Sequence, residues 1–141
     1  MKNLSIIGIG KLGLCFALTI ERSGYNVLGC DINQDYVDLV NSKVFSSDEQ
    51  NVNKYLKESK NFTATTDLND TINFSDAIFV VVATPSLDNG KYDHKQVISL
   101  VKNLKSLGVQ KNRKDLVICC TTMPGYCDEV QAELLDYNFK V

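Results

Sequence analysis

Three glycines and one acid in the first quarter of the chain have the types and the spacing that bind a nucleotide. They are Gly8, Gly10, Gly13 and Asp31. Gly8 permits a tight turn, Gly10 lets the backbone approach a pyrophosphate at a helix N-terminus, and Gly13 lets that helix pack closely on a sheet. Asp31 follows near the spacing of about 20 residues at which a carboxylate binds ribose hydroxyls. The pattern predicts a dinucleotide site.

The elements around these residues occur in the order that such a site requires. The apolar run Leu4–Ile7 precedes the glycines, a helical pattern follows them, and the apolar run Val27–Cys30 ends at Asp31. Two alternatives share part of this pattern. One is a glycine turn with a purely structural role, and the other is a methyltransferase that binds S-adenosylmethionine over a similar loop. The strand, helix, second strand and terminal acid together favour a dinucleotide.

Asp31 also indicates which dinucleotide is bound. A carboxylate accepts hydrogen bonds from both ribose hydroxyls of NAD and repels the 2′-phosphate of NADP. Residues 32–38 contain no Lys or Arg that could hold that phosphate, and they add Asp35 and Asp38. NAD is therefore the predicted cofactor. The competing interpretation is that Asp31 caps the next helix, although Asn33 could fill that role.

Size and composition predict one ordinary globular domain over residues 1–141. The chain is 44% hydrophobic and 23% charged, with a net charge of −2. It has no basic patch, so nucleic acid is not an expected partner. The apolar segment 4–20 is interrupted by Lys11 and by glycines, which is unlike a signal peptide or a membrane span. The expected location is the cytoplasm.

The five cysteines do not indicate a metal site. They are Cys15, Cys30, Cys119, Cys120 and Cys127. Their number is odd and no CxxC spacing occurs, so neither zinc nor a disulfide framework is expected. Each falls in a predicted strand or helix and is expected to be a small buried side chain. Cys127 falls in the first turn of a predicted helix, a position that can lower a thiol pKa.

Strand and helix patterns alternate along the whole chain. This alternation predicts an α/β fold of Rossmann type, a doubly wound and mainly parallel sheet with helices on both faces. The predicted strands are 3–8, 26–31, 62–65, 77–83, 115–121 and 138–141. The predicted helices are 11–23, 34–43, 50–60, 67–73, 94–107 and 126–136. Helix 94–107 is expected to place one apolar face in the core, formed by Val97, Ile98, Val101 and Leu104.

Two polar segments are predicted to lie outside the sheet and its helices. Residues 42–54 are expected to include a mobile loop. Residues 86–93 contain the turn signal Asn89-Gly90 and form an excursion after the fourth strand. His94, the single histidine, follows Asp93 at a predicted helix start. We expect His94 to be solvated and Asp93 to cap the helix.

The ligand of a doubly wound sheet binds beyond the carboxyl ends of its strands, at the switch point. Three segments are predicted to meet there: 8–13, 83–85 and 121–122. The hydroxyls of Thr84 and Thr121 could reach the nicotinamide ribose, the carboxamide or an ordered water. Each has a purely structural alternative, since Thr84 precedes a proline at a strand end and Thr121 is a β-branched strand residue.

Taken together, the motifs resemble the amino-terminal NAD-binding domain of the nucleotide-sugar 6-dehydrogenases, the UDP-glucose and GDP-mannose dehydrogenases. The T-P-S and T-x-x-P-G segments are the more specific part of the resemblance, because other dehydrogenases share the opening turn. The matched motifs are G-x-G-x-x-G-L at Gly8–Leu14, D-x-N at Asp31–Asn33, an Asn at Asn41, V-x-T-P-S at Val82–Ser86 and T-x-x-P-G at Thr121–Gly125.

The resemblance implies a set of NAD contacts and one catalytic role. Thr121 is implied to have a positioning role through contact with the nicotinamide half of NAD or with the catalytic water. The implied cofactor-binding residues are Gly8, Ile9, Gly10, Lys11, Leu12, Gly13, Asp31, Ile32, Ala83, Thr84, Pro85 and Thr121.

The resemblance also implies chemistry that this chain does not contain. Members of the family oxidise a sugar C6 alcohol to the acid with two NAD, through a nucleophilic cysteine in a glycine-rich motif further along the chain. None of the five cysteines here matches that motif. We therefore expect a truncated, inactive NAD-binding domain, whose nucleotide sugar binds through an absent domain and whose full-length enzyme forms a homodimer. The alternative is a stand-alone, non-catalytic binding module, which the coding sequence beyond Val141 would distinguish.

Several positions depart from the family pattern. Ala83 stands where proline is common, Cys120 where serine is common and Tyr126 where threonine is common. Tyr36 occupies a position near the adenosine that is often Lys or Arg, and Lys43 one that is often glycine.

Overall fold

A six-stranded parallel sheet in the order β3-β2-β1-β4-β5-β6 organises the computed structural model, which describes residues 2–141. The strands are β1 (Asn3–Ile7), β2 (Asn26–Cys30), β3 (Phe62–Thr65), β4 (Ala77–Val80), β5 (Lys114–Ile118) and β6 (Phe139–Lys140). The helices are α1 (Lys11–Arg22), α2 (Gln34–Asn41), α3 (Val52–Glu58), α4 (Leu68–Phe74), α5 (Lys95–Ser106) and α6 (Tyr126–Leu134), with a 3₁₀ turn at Leu135–Tyr137. The predicted Rossmann-type fold is confirmed.

The order of the strands creates a switch point beside β1. β1 pairs with β2 on one side and with β4 on the other. The chain therefore winds in one direction from β1 to β3 and in the opposite direction from β4 to β6. The loops that follow β1 and β4 leave the sheet toward opposite faces, so a crevice opens between the carboxyl ends of these strands.

Each face of the sheet has its own hydrophobic core. Side chains alternate across a strand, so Ile6 belongs to one core and its neighbour Ile7 to the other. The first core contains Leu14 and Leu18 of α1, and the second contains Leu104 of α5. The helices therefore cover both faces, as the sequence predicted.

Two central strands end earlier than the apolar runs predicted. The runs 77–83 and 115–121 form strands only to Val80 and Ile118. The last backbone bonds run from the Val81 amide to the Ile7 carbonyl (2.7 Å) and from the Cys119 amide to the Val80 carbonyl (2.9 Å). β1 turns away at Gly8, so the next residues have no neighbouring strand and instead line the crevice.

Two burial predictions are wrong. Ile98 is 45% exposed, and Leu100 takes its place in the core face of α5 together with Val97, Val101 and Leu104. This face follows the i, i+3, i+4, i+7 spacing of a helix. Cys30 is buried, but Cys119 is exposed and the other three cysteines are partly exposed. Cys119 is exposed because it lies one residue beyond β5.

The loop after α2 contains one of the departures from the family pattern. Lys43, at a position that is often glycine, has φ 60°, in the left-handed region that glycine favours. Residues 42–51 form no helix or strand, and Ser47 and Asn53 exchange two hydrogen bonds within this segment and the start of α3. Over residues 2–141, no helix is both long and apolar enough to cross a bilayer.

Replacement of Gly13 by alanine is expected to destabilise the fold. A Cβ on Gly13 would lie 1.9 Å from the Gly8 carbonyl oxygen, so the helix and the turn would have to separate. Such overpacking costs about 1–3 kcal/mol in the free energy of unfolding, which urea denaturation would measure.

Gly10→Ala is the matched control for this stability prediction. A Cβ on Gly10 meets nothing within 4 Å, and alanine at this helix start should cost less than about 1 kcal/mol. Equal losses of unfolding free energy in Gly13→Ala and Gly10→Ala would contradict the close packing of Gly13 against the Gly8 carbonyl.

Candidate functional site

A cleft of about 740 Å³ lies at the carboxyl ends of the central strands. This volume is within the range of small-molecule sites. The glycine turn after β1, the residues that follow β2, β4 and β5, and one side of α5 form its walls. The structure brings together these predicted site residues along the cleft: Gly8, Gly10, Lys11, Leu12, Asp31, Ile32, Ala83, Thr84 and Thr121.

Three predicted site residues do not line the cleft. The Ile9 side chain is fully buried under α1, so a ligand can meet Ile9 only through its backbone. Gly13 packs against the Gly8 carbonyl. Pro85 is exposed, and its carbonyl accepts a hydrogen bond from the Asp93 amide (2.8 Å). That bond closes the excursion between β4 and α5.

The N-terminus of α1 is open toward the cleft. Its N-cap residue, Gly10, provides no side-chain cap, and the first turn contains no acid. The first intrahelical bond runs from the Leu14 amide to the Gly10 carbonyl (2.9 Å). The preceding amides therefore have no partner within the helix and lie at the positive end of its dipole. This end of the cleft is suited to an anion.

Gly10 tests whether a cofactor fits here. It has φ −62°, and a Cβ on it would meet no protein atom within 4 Å. Neither backbone conformation nor packing within the protein therefore requires glycine at this position. A diphosphate lying against the Cα of Gly10 would leave no room for a side chain and would explain the glycine. The residues present therefore fit a dinucleotide.

Asp31 and the helix cap that follows it are arranged as a chain of hydrogen bonds. Asp31 Oδ1 accepts from the Asn33 amide (3.1 Å), and Asn33 Oδ1 accepts from the Tyr36 amide (3.1 Å). Asn33 is therefore the N-cap of α2, and Asp31 is not. Within the described residues 2–141, no protein group donates to Asp31 Oδ2, which leaves that oxygen available to a ligand.

The glycine turn is tied to neighbouring elements. The Gly8 amide donates to the Cys30 carbonyl (2.8 Å), which places the turn beside the end of β2. The Tyr36 hydroxyl donates to the Ile9 carbonyl (2.6 Å). Lys11 forms an exposed ion pair with Glu49 (2.7 Å), and the hydrogen bond to Glu49 raises the Lys11 pKa. Such an exposed pair contributes little stability.

Sequence reasoning missed the wall of the cleft that α5 provides. Gln96, Ser99 and Asn103 line the cleft, and Gln96 Oε1 accepts from the Ala83 amide (3.1 Å). Their i, i+3, i+7 spacing was a signal, because such residues share one face of a helix. For this helix, the sequence analysis predicted only the apolar face that packs in the core. Other cleft residues that were not predicted include Thr66, Leu68, Cys119 and Cys120.

His94 is packed rather than solvated, which corrects the sequence prediction. Its ring stacks on Tyr126 (centroids 3.8 Å apart, planes at 25°), and its Nε2 accepts from the Met123 amide (3.4 Å). The tyrosine that departs from the family pattern supplies this partner. The N-cap residue of α5 is His94, which makes no side-chain cap bond, so the predicted Asp93 cap is wrong. Asp93 precedes the N-cap, and its Oδ1 accepts from the Lys95 amide (3.0 Å), which lowers the Asp93 pKa. No cluster of His, Cys, Asp and Glu that could hold a metal occurs within residues 2–141.

The sequence family agrees with this geometry. A family model described as "UDP-glucose/GDP-mannose dehydrogenase family, NAD binding domain" matches residues 2–141. The chain belongs to this family. The predicted family and the predicted cofactor, NAD, are thereby confirmed.

Individual relatives agree with the family match. The UDP-glucose 6-dehydrogenase of Rickettsia conorii is 30% identical over 142 residues, which cover 97% of this chain and 32% of that protein. The GDP-mannose 6-dehydrogenase of Pseudomonas aeruginosa is 26% identical over 138 residues, which cover 95% and 32%. A ternary complex of GDP-mannose dehydrogenase from the same species superposes with a TM-score of 0.88 at 25% identity, covering 98% of this chain and 34% of that one. The chain spans about a third of the length of these relatives.

Ionisation of Tyr36 is expected to weaken the fold only at high pH. Burial, with a smaller contribution from Asp31, raises the pKa of Tyr36 from 10.0 to about 12. The pKa of Tyr36 is higher in the folded protein than in the unfolded chain. The stability that the buried, neutral Tyr36 contributes is therefore fully present below pH 10 and is lost as pH rises toward 12. The stability difference between wild type and Tyr36→Phe, measured by urea denaturation, should be constant from about pH 7 to 9 and shrink above pH 10. A constant difference up to pH 12 would contradict the assigned burial.

Proposed function

We propose that this chain is the NAD-binding part of an enzyme that oxidises the C6 alcohol of a nucleotide sugar to the carboxylate. The observation that carries the proposal is the uncapped N-terminus of α1, where Gly10 is open to a cleft that Asp31 also lines. The open N-terminus of α1 suits a diphosphate, and the carboxylate of Asp31 suits a ribose. The family match and the similarity to UDP-glucose and GDP-mannose dehydrogenases support the reaction class.

At the adenosine end, the proposed contacts are backbone amides, one carboxylate and one apolar side chain. The amides of residues 10–13 would receive the diphosphate. Asp31 Oδ2 would accept from the adenosine ribose while Oδ1 keeps its bond to Asn33. Ile32 is 99% exposed at the edge of the cleft, and an adenine ring against it would bury this apolar surface.

At the nicotinamide end, the proposed contacts are the turn after β4 and the end of β5. Bound NAD would supply the hydride acceptor. Gln96 holds the Ala83 amide, so it orients the turn that carries Thr84. Thr84 and Thr121 both line the cleft, and each hydroxyl can donate and accept a hydrogen bond. Their proposed role is to position the carboxamide, the ribose or a water.

The proposal places the reactive thiol outside this chain. Burial raises the pKa values of the four thiols Cys15, Cys30, Cys119 and Cys120, which keeps them protonated and poorly nucleophilic. The relatives are about three times as long as this chain, so the sugar site and any pairing between two copies would use residues beyond those described. All five cysteines are free, which is consistent with a reducing cytoplasm.

Asp31→Asn is expected to weaken NAD binding about tenfold and to reduce the preference for NAD over NADP. The amide keeps the shape of the side chain but loses the charge that binds the ribose hydroxyls and repels a 2′-phosphate. A tenfold change corresponds to about 1.4 kcal/mol, which suits a hydrogen bond to a charged group. Calorimetric titration with NAD and NADP would measure both affinities.

Asp35→Asn is the matched control for Asp31→Asn. It removes the same charge from an exposed position in the first turn of α2, so the preference for NAD should change little. An unchanged preference in Asp31→Asn, or an equal change in the control, would count against the ribose role.

Residues 1–141 are expected to bind NAD without producing NADH. Absorbance at 340 nm should stay flat when the protein is mixed with NAD and either UDP-glucose or GDP-mannose, because none of the five cysteines lies in the glycine-rich motif that carries the family's nucleophilic cysteine. Sustained NADH formation by this chain would contradict the proposal that the reactive thiol lies outside it.

A further inference from the structure

Tyr36 makes a contact with the glycine turn that its position in the family pattern did not predict. Its hydroxyl donates to the Ile9 carbonyl at 2.6 Å. Ile9 lies between Gly8 and Gly10, in the middle of the turn.

The contact acts on a peptide plane that borders the cleft. The Ile9 carbonyl and the Gly10 amide belong to the same peptide unit, which is planar and trans. The carbonyl oxygen and the amide hydrogen of such a unit point in opposite directions. A hydrogen bond that holds the carbonyl of Ile9 therefore also sets the direction of the Gly10 N–H.

Tyr36 is itself held at its backbone and at its ring. Its backbone amide is bound by the Asn33 cap, and Asn33 is bound by Asp31. Its ring meets the edge of the Phe45 ring in a T-shaped contact, with centroids 5.0 Å apart and planes at 88°. The hydroxyl is thus presented to Ile9 by a side chain whose position is fixed before any ligand arrives.

We propose that Tyr36 is a positioning residue for diphosphate binding: its hydroxyl holds the Ile9–Gly10 peptide so that the Gly10 amide is oriented for the anion. The inference rests on the proposed NAD site and assigns a role to a residue outside the set predicted to touch NAD. It also links the two halves of the adenosine diphosphate site, since the Asp31–Asn33–Tyr36 chain starts at the ribose acid and ends at the phosphate turn.

A positioning role predicts an effect that depends on the phosphates of the ligand. Tyr36→Phe removes the hydroxyl and keeps the ring. Loss of one hydrogen bond corresponds to a loss of about 3- to 10-fold in affinity, and this loss is expected for NAD and for ADP. Adenosine has no diphosphate, so its affinity should stay within about twofold of the wild type. Titrations followed by NMR would measure all three ligands.

A second measurement tests the turn without any ligand. In the apo protein, the carbonyl ¹³C shift of Ile9 and the amide ¹⁵N shift of Gly10 should both change in Tyr36→Phe, because the hydrogen bond to this peptide unit is lost. Residues in the centre of α1, such as Leu18, should keep their wild-type shifts. Unchanged shifts at Ile9 and Gly10 would overturn the proposal, whatever the affinity for NAD.

Two further variants separate the hydroxyl from the packing of the ring. Tyr55→Phe is the control, since the Tyr55 ring packs under Arg22 (4.0 Å) rather than on the turn, and it should bind every ligand as the wild type does. Phe45→Leu weakens the ring contact and keeps the hydroxyl, so it should have a smaller effect than Tyr36→Phe.

The outcomes separate this inference from the proposed function. If the wild type fails to bind NAD, the proposed function fails. If the wild type binds NAD and Tyr36→Phe binds NAD and ADP equally well, only the positioning role fails. A loss of adenosine affinity as large as the loss of NAD affinity would also overturn it, because the effect would not depend on the diphosphate.

Discussion

The site depends on the close approach of two glycines. The Cα of Gly13 lies so near the Gly8 carbonyl that no side chain fits between them, and Gly8 itself has φ 88°. These two features let the chain leave β1 and enter α1 almost at once. The N-terminus of α1 is thereby placed at the switch point between β1 and β4, where its free amides face a cleft instead of the core.

A set of hydrogen bonds connects this turn to the strand beside it. The Gly8 amide bonds to the end of β2, and the chain of bonds from Asp31 through Asn33 and Tyr36 returns to Ile9. The carboxylate and the helix terminus are therefore set relative to each other by the folded protein. Pre-organisation of this kind reduces the ordering that a flexible dinucleotide must bring about on binding.

Three of the departures from the family pattern have local physical explanations. Lys43 replaces a common glycine and takes the left-handed conformation that glycine would take. Tyr126 replaces a common threonine and stacks on His94, which joins the start of α6 to the start of α5. Tyr36 replaces a common basic residue and contacts the turn. In each case the new side chain has a partner or a conformation that only the folded chain reveals.

The sequence by itself determined the fold class and located the glycine turn and Asp31, where NAD binding is proposed. Glycine spacing, strand periodicity and the position of Asp31 are local, so they can be read along the chain. The tertiary structure decided which residues share the cleft: it added Gln96, Ser99 and Asn103 of α5 and directed Ile9, Gly13 and Pro85 away from it. It also decided that Ile98 and Cys119 are exposed and that His94 is packed. The physical reason is that burial and hydrogen-bond partners depend on which distant elements meet, and the periodicity of one segment carries no information about its neighbours.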